Sequence, residues 1–204
     1  MQYLMDVVAH KVAVDELVRG QLLTPLTRYA IGEHPFGIDN GAFTRFDSAA
    51  FTRLLDRAQP HRDRCLFVAM PDVVGNGRRT LEVFGDWADR CAAWPVALVA
   101  QDGIEGLDIP WSQFAAIFIG GSTGWKMSQA AADICKAAII ANKHIHVGRV
   151  NTPARYAHFQ RLGAHTCDGS GVSRFSWMLD RIRRGDTQGT PLLHSMADMH
   201  EIDT

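Results

Sequence analysis

The stretch Ile145-His-Val-Gly-Arg-Val-Asn-Thr-Pro-Ala-Arg-Tyr-Ala-His-Phe-Gln-Arg-Leu-Gly-Ala-His-Thr-Cys-Asp-Gly169 decides the fold. Ile145 to Val147 is a short apolar strand closed by Gly148. Ala154 to Leu162 is helical and stops at Gly163. Ala164 to Cys167 is a second strand, closed by Asp168-Gly169. The same alternation runs outward from there. Upstream, His34–Asp39, Arg64–Met70, Pro95–Ala100 and Ala116–Ile119 read as strands. The helices run from Asp47 or Ser48 through Ala58, from Arg78 to Trp94, and from Ala130 to Ala141. Ser173 to Arg184 is the last clear helix. Repeated βα units predict a parallel sheet with helices outside. Six strands follow from residue 34 onward, and the first 33 residues supply one or two more. A small (β/α) barrel and an open doubly wound sheet both fit. No Rossmann fingerprint follows the strand at residue 34, because Asp39-Asn-Gly-Ala-Phe43 holds a single Gly. Each strand ends instead in a polar or glycine-rich tip, which is how a barrel assembles a site. The expectation is a compact or incomplete (β/α) TIM-type barrel, with parallel strands and outer helices. It forms one catalytic domain over residues 1–186, and residues 187–204 read as a flexible C-terminal arm.

Composition excludes several other classes. The chain has 204 residues, 47% hydrophobic and 21% charged, with 18 Gly and 8 Pro. Collagen, disorder and coiled coil do not look like this. The longest apolar runs, Phe114–Ile119 and Pro95–Ala100, fall far short of the roughly 18 residues a transmembrane helix needs. No membrane partner is expected. Asp6 interrupts the first apolar stretch, and no charged leader stands before it, so the start does not read as a signal peptide. Cys65, Cys91, Cys135 and Cys167 form no CxxC pair, which leaves no zinc ribbon and no thioredoxin-like motif. Reduced thiols in a bacterial or phage-infected cytoplasm are the expectation. The net charge of -1 is silent on nucleic acid. Of 21 cationic residues, 17 are Arg, whose forked donors match phosphate. A GC-rich coding sequence gives the same bias, so placement matters more than number. Arg149 to Arg184 holds seven Arg and no Lys against Asp168 and Asp180, a basic region in a neutral chain.

The strand tips carry the chemistry. In order they are Asp39-Asn40-Gly41, Pro71-Asp72, Gln101-Asp102-Gly103, Gly120-Gly121, Gly148-Arg149 and Asp168-Gly169. In a closed barrel they converge at one mouth. Paired carboxylates work at an anomeric carbon, one as nucleophile and one as proton carrier. A further Asp, a Gln and bare glycine peptides read the donor and acceptor edge of a purine. Taken singly, each Asp also fits a simpler job, capping a helix or fixing a turn. Gly169-Ser170-Gly171 fits either a phosphate-binding helix start or a plain turn.

The order and wording of these tips resemble the tRNA-guanine transglycosylase superfamily, most of all its DNA-acting branch, the DpdA-type 7-deazaguanine transglycosylases. Ile38-Asp-Asn-Gly-Ala-Phe43 is similar to that family's first Asp motif, and Met70-Pro-Asp72 to its base-reading Asp. Val99-Ala-Gln-Asp-Gly103 and Ile117-Phe-Ile-Gly-Gly121 resemble its Gln and Gly-Gly strand ends. His146-Val-Gly-Arg-Val-Asn-Thr-Pro153 resembles its Gly-x-Gly-x-Pro turn, with Arg149-Val150 in place of the second Gly. Gly163-Ala-His-Thr-Cys-Asp168 resembles the segment that ends in its nucleophile. The likeness spans roughly residues 36 to 175. It implies exchange of guanine for a 7-deazaguanine such as preQ0, through a covalent aspartyl-glycosyl intermediate. Asp168 then attacks C1′ and Asp39 shuttles the proton. Asp72, Gln101, Gly120 and Gly121 read the base.

The chain also departs from that family. The Cys-x-Cys-x-x-Cys and His zinc site of the tRNA enzymes is missing, so no metal and no other cofactor is expected. His165 stands where the nucleophile segment has its first acid. These departures favour DNA over tRNA and leave the oligomeric state open, a homodimer included. Arg149, Arg155, Arg174, Gly169 and Ser170 are the candidates for gripping the nucleic-acid backbone. Rival readings are a tRNA-acting transglycosylase, a non-catalytic nucleic-acid-binding subunit, and a phosphate-binding sugar isomerase. Two further features are set aside. His144-x-His146 has no other ligand at useful spacing and reads as a partly solvated strand pair. Gly120-Gly-Ser-Thr-Gly-Trp-Lys126 lacks P-loop spacing, and its Trp125 reads as a rim or core residue.

Overall fold

The structure, a computed structural model, describes residues 1–6 and 16–187. Eight strands close into one barrel in chain order. They are β1 (Gln2–Met5), β2 (Val18–Leu23), β3 (Phe36–Ile38), β4 (Cys65–Ala69), β5 (Val96–Ala100), β6 (Ala116–Ile119), β7 (His144–Val147) and β8 (Thr166–Cys167). All eight pairings are parallel, including the closing pair, in which Gln2 faces Thr166 and Tyr3 faces Cys167. The expected (β/α) barrel is thus the observed fold. The first 33 residues supply two of its strands. The arm read over 187–204 lies outside the described residues, apart from Thr187.

Helices pack around this barrel. They are α1 (Ser48–Ala58) after β3, α2 (Gly77–Ala88) after β4, α3 (Thr123–Lys126) and α4 (Gln129–Ile140) after β6, α5 (Pro153–Arg161) after β7, and α6 (Gly171–Arg174) and α7 (Ser176–Arg183) after β8. No helix separates β2 from β3, and only short 3-10 turns separate β5 from β6, which makes the barrel compact. Side-chain caps start the helices where a polar residue precedes an apolar face. Asp47 accepts from the Ala50 N–H ahead of α1, and Asn76 from the Arg79 N–H ahead of α2. On α1, Phe51, Leu54 and Ala58 form the buried stripe.

Several element ends differ from the sequence reading. The strand read over His34–Asp39 pairs only over Phe36–Ile38, and that read over Ala164–Cys167 only over Thr166–Cys167. The helix read to Trp94 ends at Ala88, followed by a 3-10 turn over Asp89–Cys91. The last helix is two, because Phe175 is extended (φ −125°, ψ 106°).

Alternation along each strand builds two cores. Phe36, Ile38, Val68, Leu98, Ile117 and Ile145 face the helices. Leu4, Leu22, Phe67, Ala69, Ala97, Val99, Ala116 and Phe118 fill the barrel axis. Phe67 is the largest axial plug, with Phe118 edge-on at 5.9 Å between ring centroids. Gly37 on β3 makes room for it. A Cβ at Gly37 would overlap the Phe67 ring, which is fully buried. Gly37→Ala is therefore expected to destabilise the fold by about 1–3 kcal/mol, the usual cost of overpacking. Adding Phe67→Leu should recover part of that loss. Urea unfolding of the single and double variants measures both, and strictly additive losses would rule the contact out.

Candidate active site

The ends of β3 to β8 meet at one mouth and enclose an open hollow of about 140 Å³. Asp39, Asn40, Asp72, Gln101, Gly120, Arg149 and Asp168 line it, with Ala69, Val99 and Phe118 from the axis and Phe43 and Val74 at the rim.

Asp72 is held from two sides. Asn40 Nδ2 donates to Oδ1 at 2.7 Å and Gln101 Nε2 donates to Oδ2 at 2.6 Å. Both amides are themselves anchored. Asn40 also donates to the Met70 carbonyl at 2.7 Å and accepts from the Ala42 N–H at 2.6 Å. Gln101 accepts from the Gly75 N–H at 2.9 Å. Burial pushes the Asp72 carboxyl up, against the pull of these two amides. A carboxylate has about four lone-pair sites, so this clamp fixes the plane of Asp72 and leaves acceptor capacity facing the hollow.

Asp39 has different neighbours. Among the described residues its Oδ1 accepts the Gly41 N–H alone, at 2.6 Å. Burial raises its carboxyl to about 7, opposed by that N–H and reinforced by the charges of Asp168 and Asp72. A carboxyl poised there both gives and takes a proton near neutral pH.

Asp168 follows β8 directly. Its Oδ2 meets His146 Nε2 at 3.0 Å, and its Oδ1 accepts the Arg149 N–H at 3.0 Å. Gly148 leaves space for the Phe118 ring beside it, which a Cβ there would overlap. Arg149 has φ 59°, a left-handed value that favours glycine. The guanidinium holds this strained turn, with Nη2 donating to the Gly120 and Gly121 carbonyls at 3.0 and 2.9 Å. Its face lies over Phe43, 4.5 Å from the ring centroid.

The sequence-derived residues divide into two groups. Asp39, Asp72, Gln101, Gly120, Arg149 and Asp168 share the hollow. Gly121, Gly169, Ser170, Arg155 and Arg174 do not line it. The peptide groups of Gly120 and Gly121 are engaged, with both N–H groups on the Ala100 carbonyl and both carbonyls on Arg149. Their missing side chains are their main contribution. A Cβ at Gly120 would press on Val99 and on Gln101 Nε2. Arg149 turns into the site, while Arg174 is exposed on α6. Asp102 turns away and binds the Ser122 hydroxyl and N–H at 2.6 and 2.7 Å. Burial pushes its carboxyl up, but the Ser122 bonds outweigh that and lower it. Trp125 is buried and donates to Glu105 at 2.9 Å, a core residue as read.

Sequence reasoning missed three residues. His146 is wholly buried, which corrects the reading of a partly solvated pair. An inward position on β7 places it on the axis between Phe67 and Phe118. Lys126 is also buried and donates to the Gly148 carbonyl at 2.6 Å, bracing the β7 tip. Burial, with the Arg149 charge beside it, lowers its ammonium to about 7. Asn40 was quoted in a tip but given no task. No alternation rule separates such residues from ordinary core.

No protein-family model and no curated protein matches this sequence. Among the described residues, no helix is long and apolar enough to cross a membrane, and no three His, Cys, Asp or Glu side chains form a metal-holding group.

The Asp39 carboxyl yields a prediction with a definite sign. Its value of about 7 in the folded protein stands above about 3.9 in an unfolded chain. Between these values the folded state holds a proton that the unfolded state releases. That stabilisation is full below about pH 4 and is lost as pH rises through about 7. Wild-type stability should therefore fall over this window relative to Asp39→Asn, which cannot ionise. Urea unfolding of both proteins across the window tests this. A constant difference between them would show that the carboxyl is not raised.

Proposed function

We propose that the protein exchanges a purine base at a glycosidic bond, removing guanine from DNA and inserting a 7-deazaguanine such as preQ0. One observation carries the reading. Three carboxylates from separate strand ends, Asp39, Asp72 and Asp168, line one hollow, each held by a different set of hydrogen-bond donors. The likeness of the strand ends to the DNA-acting deazaguanine transglycosylases supports it further.

The chemistry balances without an external energy source. An Asp168 carboxylate oxygen attacks C1′ as the C1′–N9 bond breaks, and the bond pair leaves with the base. Asp39 in its acid form gives that base a proton. The result is a glycosyl ester on Asp168, a free guanine and an ionised Asp39. An incoming deazaguanine then loses its N9 proton to Asp39, and N9 attacks C1′. The ester breaks and the Asp168 carboxylate returns. Two inversions retain the configuration. Asp72, held by Asn40 and Gln101, accepts from the N1–H and amino donors of the base. Phe118 and Val99 supply an apolar wall. A duplex has to release its base first, at a cost of a few kcal/mol, and a basic rim offsets that by gripping phosphates. Arg155 is near enough to the mouth for its charge to act on Lys126.

The test is exchange of labelled guanine into guanine-containing DNA, with capture of a covalent protein–DNA adduct. Asp168→Asn should leave no adduct and lower exchange by at least about 10³-fold. Asp39→Asn should slow both release and insertion, by about 10²–10⁴-fold, the usual worth of a general acid or base. Unimpaired exchange in Asp168→Asn rejects the mechanism. Exchange into tRNA but not DNA reverses the choice of polymer.

A further inference from the structure

We infer that His146 is the positioning residue for Asp168, and that a hydrogen-bonded chain along the barrel axis, Asp168–His146–Thr166–His144, holds its ring as the neutral Nε2–H tautomer. The inference rests on Asp168 being the nucleophile.

The chain is continuous. Asp168 Oδ2 lies 3.0 Å from His146 Nε2, and His146 Nδ1 lies 2.9 Å from Thr166 Oγ1. Thr166 Oγ1 lies 2.8 Å from His144 Nε2. Donor and acceptor chemistry sets its direction. A carboxylate oxygen only accepts, so His146 Nε2 carries the hydrogen. A neutral ring then has a bare Nδ1, and the Thr166 hydroxyl must donate to it. The Thr166 oxygen in turn accepts from His144 Nε2–H. Each hydrogen has one place along the chain.

The surroundings keep the ring neutral. His146 is wholly buried, with the Phe67 and Phe118 centroids 4.5 and 4.6 Å from its own. The titratable groups that act on it are Asp168 above, Lys126 from α3 and His144 below on the same strand. Burial lowers its pKa and the Lys126 charge adds to that, against the pull of Asp168. His144 is lowered to about 3 by burial and by the other two imidazoles, His146 and His165.

This arrangement suits a nucleophile. The Arg149 N–H fixes Oδ1 and the His146 N–H fixes Oδ2, so the carboxylate plane is set from two directions. A neutral donor orients the group without cancelling its charge. Lone pairs remain on both oxygens for the attack on C1′.

Two measurements decide the matter. Nitrogen-15 NMR of the intact protein should show His146 as the Nε2–H tautomer, unchanged between about pH 5 and 8. A cationic ring or the Nδ1–H tautomer overturns the inference. Single-turnover adduct formation on guanine-containing DNA should fall about 100-fold in His146→Phe with DNA affinity unchanged, as expected for a misplaced reacting group. His146→Gln keeps an N–H donor and should recover most of the rate. If the Phe variant does not fold, Thr166→Val removes the hydroxyl that sets the tautomer. It should slow the step about tenfold, and Thr166→Ser should restore it. Wild-type adduct with an unaltered rate in these variants defeats the inference alone. Neither adduct nor exchange in the wild type defeats the base-exchange reading, and the role of His146 falls with it.

Discussion

The site depends on β1 closing the barrel between β2 and β8. Tyr3 is the pin of that closure. Its backbone pairs on both sides, its hydroxyl donates to the Val150 carbonyl at 2.9 Å, and its ring stacks on Tyr156 at 5.6 Å. Burial pushes its phenol well up, so it stays a neutral donor. Without this strand, β2 and β8 become open edges with unpaired peptide groups. Asp168 stands one residue past β8, so such an edge would release it. Closure also gives residues distant in sequence a common rim. The Asp168 charge reaches Asp39 because the closed sheet brings the ends of β3 and β8 to one mouth.

Once gathered, the carboxylates cannot behave alike. Like charges in a partly desolvated hollow push one another toward the neutral form. The structure resolves this by giving each a different set of donors. Asp72 has two amides, Asp168 an imidazole and a peptide N–H, and Asp39 a single peptide N–H. Asp39 is raised to about 7, chiefly by burial, with one peptide N–H to oppose it. Under the proposed base exchange, such unequal settings would suit a proton carrier beside an acceptor and a nucleophile. The left-handed turn at Arg149 belongs to the same arrangement. A non-glycine residue held there costs on the order of 1–3 kcal/mol, and the conformation aims its N–H at Asp168.

Strand tips were the most legible part of the sequence. Short apolar runs ending in Asp, Asn or Gly mark where a parallel strand leaves the sheet, and the barrel follows from their repetition. That pattern located Asp39, Asp72, Gln101 and Asp168 correctly in one hollow. It could not tell Asp102 from Asp72, because which Asp faces the mouth depends on Ser122 across the rim, a partner 20 residues away. Arg149 looked like a phosphate ligand by composition. Its inward course depends on the Gly120 and Gly121 carbonyls, which no local rule connects to it. His146 was hidden for a different reason. Alternation says that it faces the axis, but its bond to Asp168 joins two strands and shows only in the folded chain.

The barrel axis is not uniform in polarity. Buried polar groups cost stability unless fully paired, and an apolar axis packs as well with less risk. On the β1, β2 and β4 to β6 sides the axis is apolar, with Leu4, Leu22, Phe67, Val99 and Phe118. The polar chain of His144, His146 and Thr166 occupies the β7 and β8 side, directly beneath Asp168. The bonding from His144 through Thr166 and His146 pairs each of these polar groups, and it ends on the Asp168 carboxylate at the mouth.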